Sequence, residues 1–222
     1  MSSDRETILT RVKSALAPLP QRAALPDWEA ELVIMRQARG TVDAWTLFAE
    51  RMRGANGTPL TAVAELVALL EKGGWRHGYC DPQLWPKLAP AFPATFKVET
   101  VFDRARVDDY QFGITRASAA IAETGTLVLT EAETSSRLAA LAPWVHVAVL
   151  AREKIFIDVP QAVATLSANR DIQTTSPEPV EWAALPKDSN IIWVTGPSKT
   201  ADVEGILIEG VHGPGVQVAL LQ

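Results

Sequence analysis

Residues 145–151 read Val-His-Val-Ala-Val-Leu-Ala, a continuous apolar run interrupted by one histidine. A run of this kind is typical of a β-strand that is covered on both faces. Further short apolar runs recur in the second half of the chain: Thr126–Thr130, Lys154–Ile157, Ile191–Thr195, Ile206–Ile208 and Val216–Leu221. Helical stretches such as Pro160–Ala168 separate some of them. Strands that alternate with helices predict an α/β fold with a largely parallel sheet flanked by helices.

The first part of the chain has a helical pattern. A capping box at Ser3–Glu6, followed by apolar residues at helical spacing, predicts a helix that ends at Leu16. Three prolines within residues 17–27 predict an extended linker after it. Two further helices are predicted, one from about Val42 to Met52 and one that Thr58-Pro59 opens and that continues to Leu70.

The length of 222 residues suits one large domain. The patterns above divide this domain, residues 1–222, into an N-terminal helical arm over about 1–56 and an α/β core over about 57–222.

The amino-acid composition argues against several classes of protein. The net charge is −5 and the chain has no long run of Lys or Arg, so we expect no nucleic-acid partner. We also expect no membrane span and a cytoplasmic location, because no apolar segment is long enough to cross a bilayer and the first 16 residues are polar and charged. Cys80 is the only cysteine, so this chain cannot supply the four cysteines of an iron–sulfur cluster, and we expect no metal site.

The first candidate for a functional site is the segment Ile121–Thr126. We interpret it as a helix end, with Gly125 as the cap, that leads directly into a strand. In one interpretation Glu123 faces a ligand as an acid, base or nucleophile, with Thr124 and Thr126 beside it. In the other, Glu123 is solvated at a helix terminus and the two hydroxyls cap backbone groups.

The second candidate follows the strand Ile191–Thr195, which runs directly into Gly-Pro-Ser-Lys-Thr-Ala-Asp at residues 196–202. A strand that opens into glycine, two hydroxyls and a lysine is typical of an anion-binding turn, in which backbone N–H groups face the ligand. The order of residues differs from that of a Walker A loop. Alternatively, this is a polar loop in which Ser198 or Thr200 caps a helix that contains Asp202 and Glu204.

The third candidate is Gly210–Gly215, a turn with three glycines and one proline between two apolar runs. The close spacing of these runs predicts an antiparallel or mixed edge of the sheet. His212 either faces solvent or serves as a proton donor at this edge. Elsewhere, Arg137 is a candidate clamp for a carboxylate or phosphate, whereas His146, inside an apolar strand, is predicted to be a core histidine with satisfied hydrogen bonds.

Four segments together resemble the LUD-domain family, in particular its lactate utilisation protein C group. They are Gly113–Thr115, Ile121–Thr126, Gly196–Glu204 and Gly210–Pro214. The resemblance implies a fold akin to the NagB/RpiA/CoA-transferase-like superfamily. It also implies a role in oxidising L-lactate to pyruvate beside two partner proteins that carry the iron–sulfur clusters. CoA transferases use a Glu beside a glycine turn as a nucleophile, and Glu123-Thr124-Gly125 is similar to that motif, with Thr where Asn is expected.

These motifs and the resemblance define the candidate site residues. The candidate catalytic residues are Glu123, Asp202 and His212. The candidate ligand-binding residues are Thr115, Thr124, Gly125, Thr126, Arg137, Gly196, Pro197, Ser198, Lys199, Thr200, Glu204 and Gly213. We expect Glu123, Ser198, Asp202 and His212 to lie around one cleft at an end of the sheet, because ligands of open α/β sheets bind where strands end.

Two functions remain open on the sequence. One is a cofactor-free subunit of a lactate-oxidising system, which binds a small anion or its partner proteins. The other is a stand-alone enzyme of the isomerase, acyl-transferase or cyclo-ligase type. No G-x-G-x-x-G dinucleotide motif follows a strand, which favours the subunit, and turnover by the purified chain alone would distinguish the two.

Overall fold

The computed structural model describes residues 4–17, 42–130, 134, 136–168, 190–200 and 208–222. The chain forms two compact units, residues 1–41 and residues 42–222. In the first unit, helix α1 (Asp4–Leu16) confirms the helix predicted there, and Ile8, Val12 and Leu16 of its apolar stripe are exposed. Ser3 of the capping box and the predicted proline linker lie outside the described residues.

The second unit contains all the remaining described elements. Its helices are α2 (Ala44–Gly54), α3 (Val63–Lys72), α4 (Trp85–Leu88), α5 (Arg137–Leu141) and α6 (Val159–Ala168). Its strands are β1 (Thr58–Leu60), β2 (His77–Cys80), β3 (Lys97–Glu99), β4 (Phe112–Arg116), β5 (Ala119–Ile121), β6 (Thr126–Thr130), β7 (Val145–Leu150), β8 (Ile155–Phe156), β9 (Ile191–Val194), β10 (Lys199–Thr200), β11 (Ile208–Glu209) and β12 (Val216–Leu221). No helix among the described residues has the length and apolar character needed to cross a bilayer.

Six strands form one sheet in the order β1-β12-β7-β4-β2-β3, and every neighbouring pair is parallel. Strand β7 is buried along its whole length, as its uninterrupted apolar sequence predicts. The predicted fold class, an α/β protein with a largely parallel sheet flanked by helices, is confirmed.

Each face of this six-stranded sheet is covered. On the first face, Val145, Val147 and their neighbours pack with leucines from α3 and from the α4 region. On the second face, Ala148 and Leu150 pack with Phe48 of α2 and with a smaller sheet of four strands, ordered β8-β5-β6-β9. In the smaller sheet β5 is parallel to β8, while β6 is antiparallel to both β5 and β9.

The apolar runs at 206–208 and 216–221 are predicted to form an antiparallel or mixed edge of the sheet, but the strands described there, β11 and β12, do not pair with each other. Strand β12 is an interior strand of the large sheet and runs parallel to both of its neighbours, β1 and β7. The preceding strand, β11, pairs instead with β10 in a separate two-stranded sheet. The connection through Gly210–Gly215 therefore leads from one sheet into another and does not join two paired strands.

The prediction that a helix begins at Thr58-Pro59 is wrong, although a helix does form a few residues later. Residues Thr58–Leu60 form β1, which pairs with β12 at the edge of the sheet, where a proline costs no interior hydrogen bond. The helix begins at Val63, and the carboxylate of Glu65 accepts the backbone N–H groups of Thr61 and Ala62. The helix predicted over Val42–Met52 is confirmed as α2.

Candidate functional site

The segment around Gly125 is the turn of a β-hairpin and not the end of a helix, so this prediction is wrong. Strand β5 pairs with β6 in antiparallel register, with Ile121 opposite Thr126, and residues 122–125 form the turn. Gly125 has a φ of 66°, a left-handed conformation that glycine adopts without strain. A side chain at this position would collide with the backbone of α2 at Arg51 and Met52, so the turn lies against that helix.

Glu123 is oriented towards the start of α6. Its Oε1 accepts the backbone N–H of Val159 at 3.0 Å, and its side chain is half-buried. Buried Asp158 accepts the N–H of Gln161 at 2.8 Å at the same helix terminus. These contacts give Glu123 a structural role in joining the hairpin to α6, and its role as an acid, base or nucleophile stays a prediction.

A chain of hydroxyl groups connects the hairpin turn to the end of β9. Thr124 Oγ1 lies 2.7 Å from Thr126 Oγ1, which lies 2.7 Å from Thr195 Oγ1. Thr126 is buried, whereas Thr124 and Thr195 are exposed. The first and second candidate segments, far apart in sequence, are thereby in direct contact.

The turn after β9 packs against the end of α2. Gly196 has a φ of 71°, and a side chain there would collide with the carbonyl oxygen of Ala55. The ammonium group of Lys199 donates to the same carbonyl at 3.1 Å. Since cations are favourable near the carboxyl ends of helices, Lys199 has a structural partner in this position.

The backbone of Ser198 is also engaged. Its N–H donates to the carbonyl of Pro214 at 2.9 Å, and its carbonyl accepts the N–H of Gly210 at 2.9 Å. Lys199 and Thr200 form β10, and the predicted helix that contains Asp202 and Glu204 lies outside the described residues. Pro197 beside them is buried. Two of the donors predicted to bind an anion here, the Ser198 N–H and the Lys199 ammonium, have protein acceptors, while Asp202 and Glu204 lie outside the described residues.

The third turn is a direct neighbour of the second. A side chain at Gly213 would lie 3.3 Å from Cβ of Ser198, and Gly210 packs on the ring of Trp144. His212 is exposed in this turn. The three glycine turns are therefore linked in series, although a single cleft shared by Glu123, Asp202 and His212 stays a prediction.

Two cavities lie next to predicted ligand-binding residues. Arg137 lines a cavity of about 370 Å³ that it shares with Arg104 and Ser136, whose hydroxyl caps α5 by accepting the Ala139 N–H at 3.2 Å. Two guanidinium groups at one cavity are suited to an anion. Gly213 lines a second cavity, of about 410 Å³. Its other described lining residues are Trp75, Val107, Asp108, Tyr110, Gln111, Ala142, Trp144 and Gly210.

Thr115 belongs to a buried polar row in the large sheet. Its Oγ1 lies 2.9 Å from Nε2 of His146, and Nδ1 of His146 lies within hydrogen-bond distance of the Gln217 amide. All three side chains are buried, which confirms His146 as a core histidine with satisfied hydrogen bonds. Burial lowers the pKa of His146 to about 4, so its ring is neutral at physiological pH.

Sequence reasoning misses one charged pair at the carboxyl ends of two strands. Asp81 comes directly after β2, is fully buried, and accepts Nε of Arg116, the last residue of β4, at 3.0 Å. The signal that could have found the pair is a charged residue directly after each of the short apolar segments 77–80 and 112–115. Both segments are too short for their pattern to predict a strand with certainty from the sequence, so this signal is weak.

Within the described part of the chain, no cluster of three or more His, Cys, Asp or Glu side chains is arranged to hold a metal ion. Cys80 is fully buried, and burial raises the pKa of its thiol to about 12, with a smaller contribution from the charge of Asp81. A thiol in this state is a weak nucleophile and a weak metal ligand.

A parallel six-stranded sheet, covered on both faces and joined to a smaller mixed sheet, defines an α/β protein with polar groups at its strand ends and turns. The sequence model of the LUD domain matches residues 81–221. The chain belongs to the LUD domain family.

Individual relatives agree with this assignment. The chain is 32% identical over 112 residues to a lactate utilization protein C of Bacillus licheniformis, a match that covers 49% of this chain and 41% of that protein. The match thus spans well under half of the curated relative's length. An uncharacterised protein of Neisseria meningitidis is 24% identical over 234 aligned positions, which cover 96% of this chain and 90% of that one. A crystal structure of a DUF162 family protein from Deinococcus radiodurans superposes with a TM-score of 0.51 at 22% identity, covering 81% of this chain and 96% of that chain, and supports the fold.

Proposed function

We propose that the protein is a component of an L-lactate utilisation system, in which it contributes to the oxidation of lactate to pyruvate but is not sufficient for it. The observation that carries the proposal is the match to the LUD domain over residues 81–221, together with relatives named lactate utilization protein C. A small anionic ligand and a cytoplasmic location fit this role.

The chemistry of the reaction explains why partners are needed. Conversion of a 2-hydroxy acid into a 2-oxo acid removes two electrons and two protons, so it requires an electron acceptor, which a cofactor normally supplies. The single cysteine of this chain is buried with a raised pKa, and no dinucleotide-binding motif follows a strand. We therefore assign the acceptor to iron–sulfur partner proteins and propose that this chain has no cluster of its own.

The test is a dye-reduction assay with L-lactate. It compares the full chain alone, its iron–sulfur partners alone, and the complete mixture, with the iron content of each preparation measured beforehand. We expect dye reduction in the complete mixture, little with either part alone, and no stoichiometric iron in this chain.

A matched control replaces L-lactate by L-lactamide, which keeps the hydroxyl but lacks the carboxylate. Full activity of the partners without this chain would contradict an essential role. Turnover of a sugar phosphate, an acyl-CoA or a folate by this chain alone would instead favour a stand-alone enzyme.

A further inference from the structure

The order of strands in the large sheet contains one reversal. After β2 the chain moves outward to β3 at the sheet edge, and then returns to β4 on the other side of β2. From β4 the later strands β7 and β12 continue in the direction away from β3. In open α/β sheets such a reversal marks the place where ligands bind, outside the carboxyl ends of the two strands concerned. Here those strands are β2 and β4.

The segments that leave these two strands diverge to opposite faces of the sheet. After β2, Leu84 and Leu88 join the core cluster on the first face. After β4, Ala117 and Ala120 join the cluster on the second face, below α2. The pair Asp81 and Arg116 lies at the carboxyl ends of β2 and β4, where these two segments diverge, and the rule for strand order places a ligand at this position.

The geometry of the pair fixes the orientation of the guanidinium. Asp81 is fully buried and both of its oxygens are engaged: Oδ2 accepts Nε of Arg116 at 3.0 Å, and Oδ1 accepts the backbone N–H of Gln83 at 2.8 Å. The carbonyl of Arg116 accepts the hydroxyl of Thr134 at 3.0 Å, which anchors the backbone as well. The arginine is thus held at its Nε and at its main chain.

The other edge of the guanidinium, with Nη1 and Nη2, has no acceptor among the described residues, and the Arg116 side chain is 30% exposed. These two nitrogens form the planar fork that binds a carboxylate through two parallel hydrogen bonds. The contact with Asp81 uses only Nε, so it orients this fork without occupying it.

Stability alone does not account for the pair. Removing a carboxylate from water costs several kcal/mol, and ion pairs with one buried partner often contribute little net free energy of folding. An arginine whose fork is unoccupied and partly exposed is suited to the recognition of an anion.

We propose that Arg116, positioned by Asp81 at the reversal of strand order, binds the carboxylate of a small organic acid. The inference rests on the proposed function, since it assigns the carboxylate of the 2-hydroxy acid to this arginine. Asp81 acts as a positioning residue. The negative charge of Asp81 repels the carboxylate of the ligand. The affinity for the ligand therefore depends more on the two parallel hydrogen bonds from Nη1 and Nη2 than on the net charge of the site.

The experiment measures direct binding by isothermal titration calorimetry with the full chain and without partner proteins. The probes are L-lactate, pyruvate, L-lactamide and inorganic phosphate. For the wild type we expect binding of both carboxylates and weaker binding of lactamide. Arg116→Lys, which keeps the charge but loses the fork, and Arg116→Gln should each weaken carboxylate binding by roughly 10- to 100-fold. Asp81→Ala removes the acceptor for Nε and should weaken carboxylate binding, whereas Asp81→Asn keeps an acceptor and should lose less affinity than Asp81→Ala.

The matched control is Arg76→Lys, at an exposed arginine that precedes β2 at its opposite end and pairs with Glu71. It should leave binding unchanged. Circular dichroism checks that each variant is folded, and Arg116→Lys provides the test if Arg116→Gln does not fold.

Unchanged carboxylate affinity in Arg116→Lys would overturn the inference. The inference would also fail if Arg137→Gln abolished carboxylate binding while Arg116→Lys left it unchanged, because the carboxylate would then occupy the cavity lined by Arg104 and Arg137. A preference for phosphate over both carboxylates would also overturn it. If the dye-reduction assay requires this chain but the Arg116 variants are as active as the wild type, the inference fails while the proposed function stands.

Discussion

At the residue scale, the buried polar row shows how a histidine is accommodated inside an apolar sheet. Thr115, His146 and Gln217 belong to three adjacent strands, β4, β7 and β12, and their side chains bond one another. Neither neighbour of the imidazole can ionise in the physiological range, and the hydrogen bond with Gln217 raises the pKa of the ring by less than burial lowers it. Each group in the row has a hydrogen-bond partner, as burial requires.

The pKa of His146 predicts a pH dependence of stability. Burial depresses it from 6.5 to about 4, so the unfolded chain binds more protons than the folded one between these values. The stability contributed by the neutral ring is therefore fully present above about pH 6.5 and is lost as the pH falls towards 4. Between pH 7 and pH 5 this group should cost about 2 kcal/mol of unfolding free energy.

Urea unfolding at pH 7 and pH 5 measures this contribution. We expect the wild type to lose more stability on acidification than His146→Gln, which cannot gain the proton. His212→Gln, at an exposed histidine, is the matched control and should follow the wild type. Equal pH dependence in the wild type and His146→Gln would show that His146 does not titrate abnormally.

At the element scale, the carboxyl-terminal part of α2 organises two of the glycine turns. Gly125 lies against Arg51 and Met52, and Gly196 lies against Ala55. Both glycines have positive φ, so the close approach and the backbone conformation impose the same choice of residue. The turns thus depend on a helix that lies far from them in sequence.

Three alanine substitutions separate the two effects. Gly196→Ala meets both the positive φ and the Ala55 carbonyl, and should destabilise the protein by roughly 2–4 kcal/mol. Gly74→Ala meets only a positive φ of 72° and open space, and should cost about 1 kcal/mol. Gly54→Ala, in the last turn of α2 with open space around it, should be neutral or slightly stabilising. Urea unfolding measures all three, and a cost for Gly196→Ala no larger than for Gly74→Ala would contradict the packing argument.

Sequence patterns predict correctly those strands and helices whose conformation is determined by the residues within them. The runs at 126–130, 145–150, 191–194 and 216–221 form strands because apolar and β-branched residues dominate them. The segment predicted to end a helix before Gly125 instead contains β5, because the helical preference of Ala119 and Ala120 is overridden by packing on both sides of the strand. Strands β2 and β3 are too short for a periodic signal.

The candidate site was predictable to a similar degree. The glycine turns follow from local conformation, but the partners of Ser198 and Lys199 come from segments distant in sequence. The pairing of Asp81 with Arg116 depends on the adjacency of β2 and β4, which no local pattern reveals. The sequence therefore indicated where turns follow strands, but it did not show which polar groups in those turns are hydrogen-bonded to other parts of the protein.

At the scale of the whole molecule, the large sheet extends beyond the residues that the LUD domain model matches. The LUD match begins at Asp81, whereas β1 and β2 precede it. Even so, β1 lies at one edge of the sheet against β12, and β2 lies beside β4 near the other edge. The segment before residue 81 therefore adds the edge strand β1 on one side and contributes β2 between β4 and β3, which both belong to the matched region.

The insertion of β12 between β1 and β7 has a consequence for synthesis on the ribosome. Leu60 pairs with Leu220, so β1 cannot pair with β12 until almost all of this sequence has left the exit tunnel. Until then the nascent chain presents two unpaired strand edges, those of β1 and β7, which can pair wrongly or recruit chaperones. Pairing across so long a stretch also slows folding. A chain that stops at residue 215 should accordingly show no cooperative unfolding transition, while a chain that stops at residue 221 retains one. A sharp transition in the shorter chain would mean that the remaining five strands of the sheet close without β12.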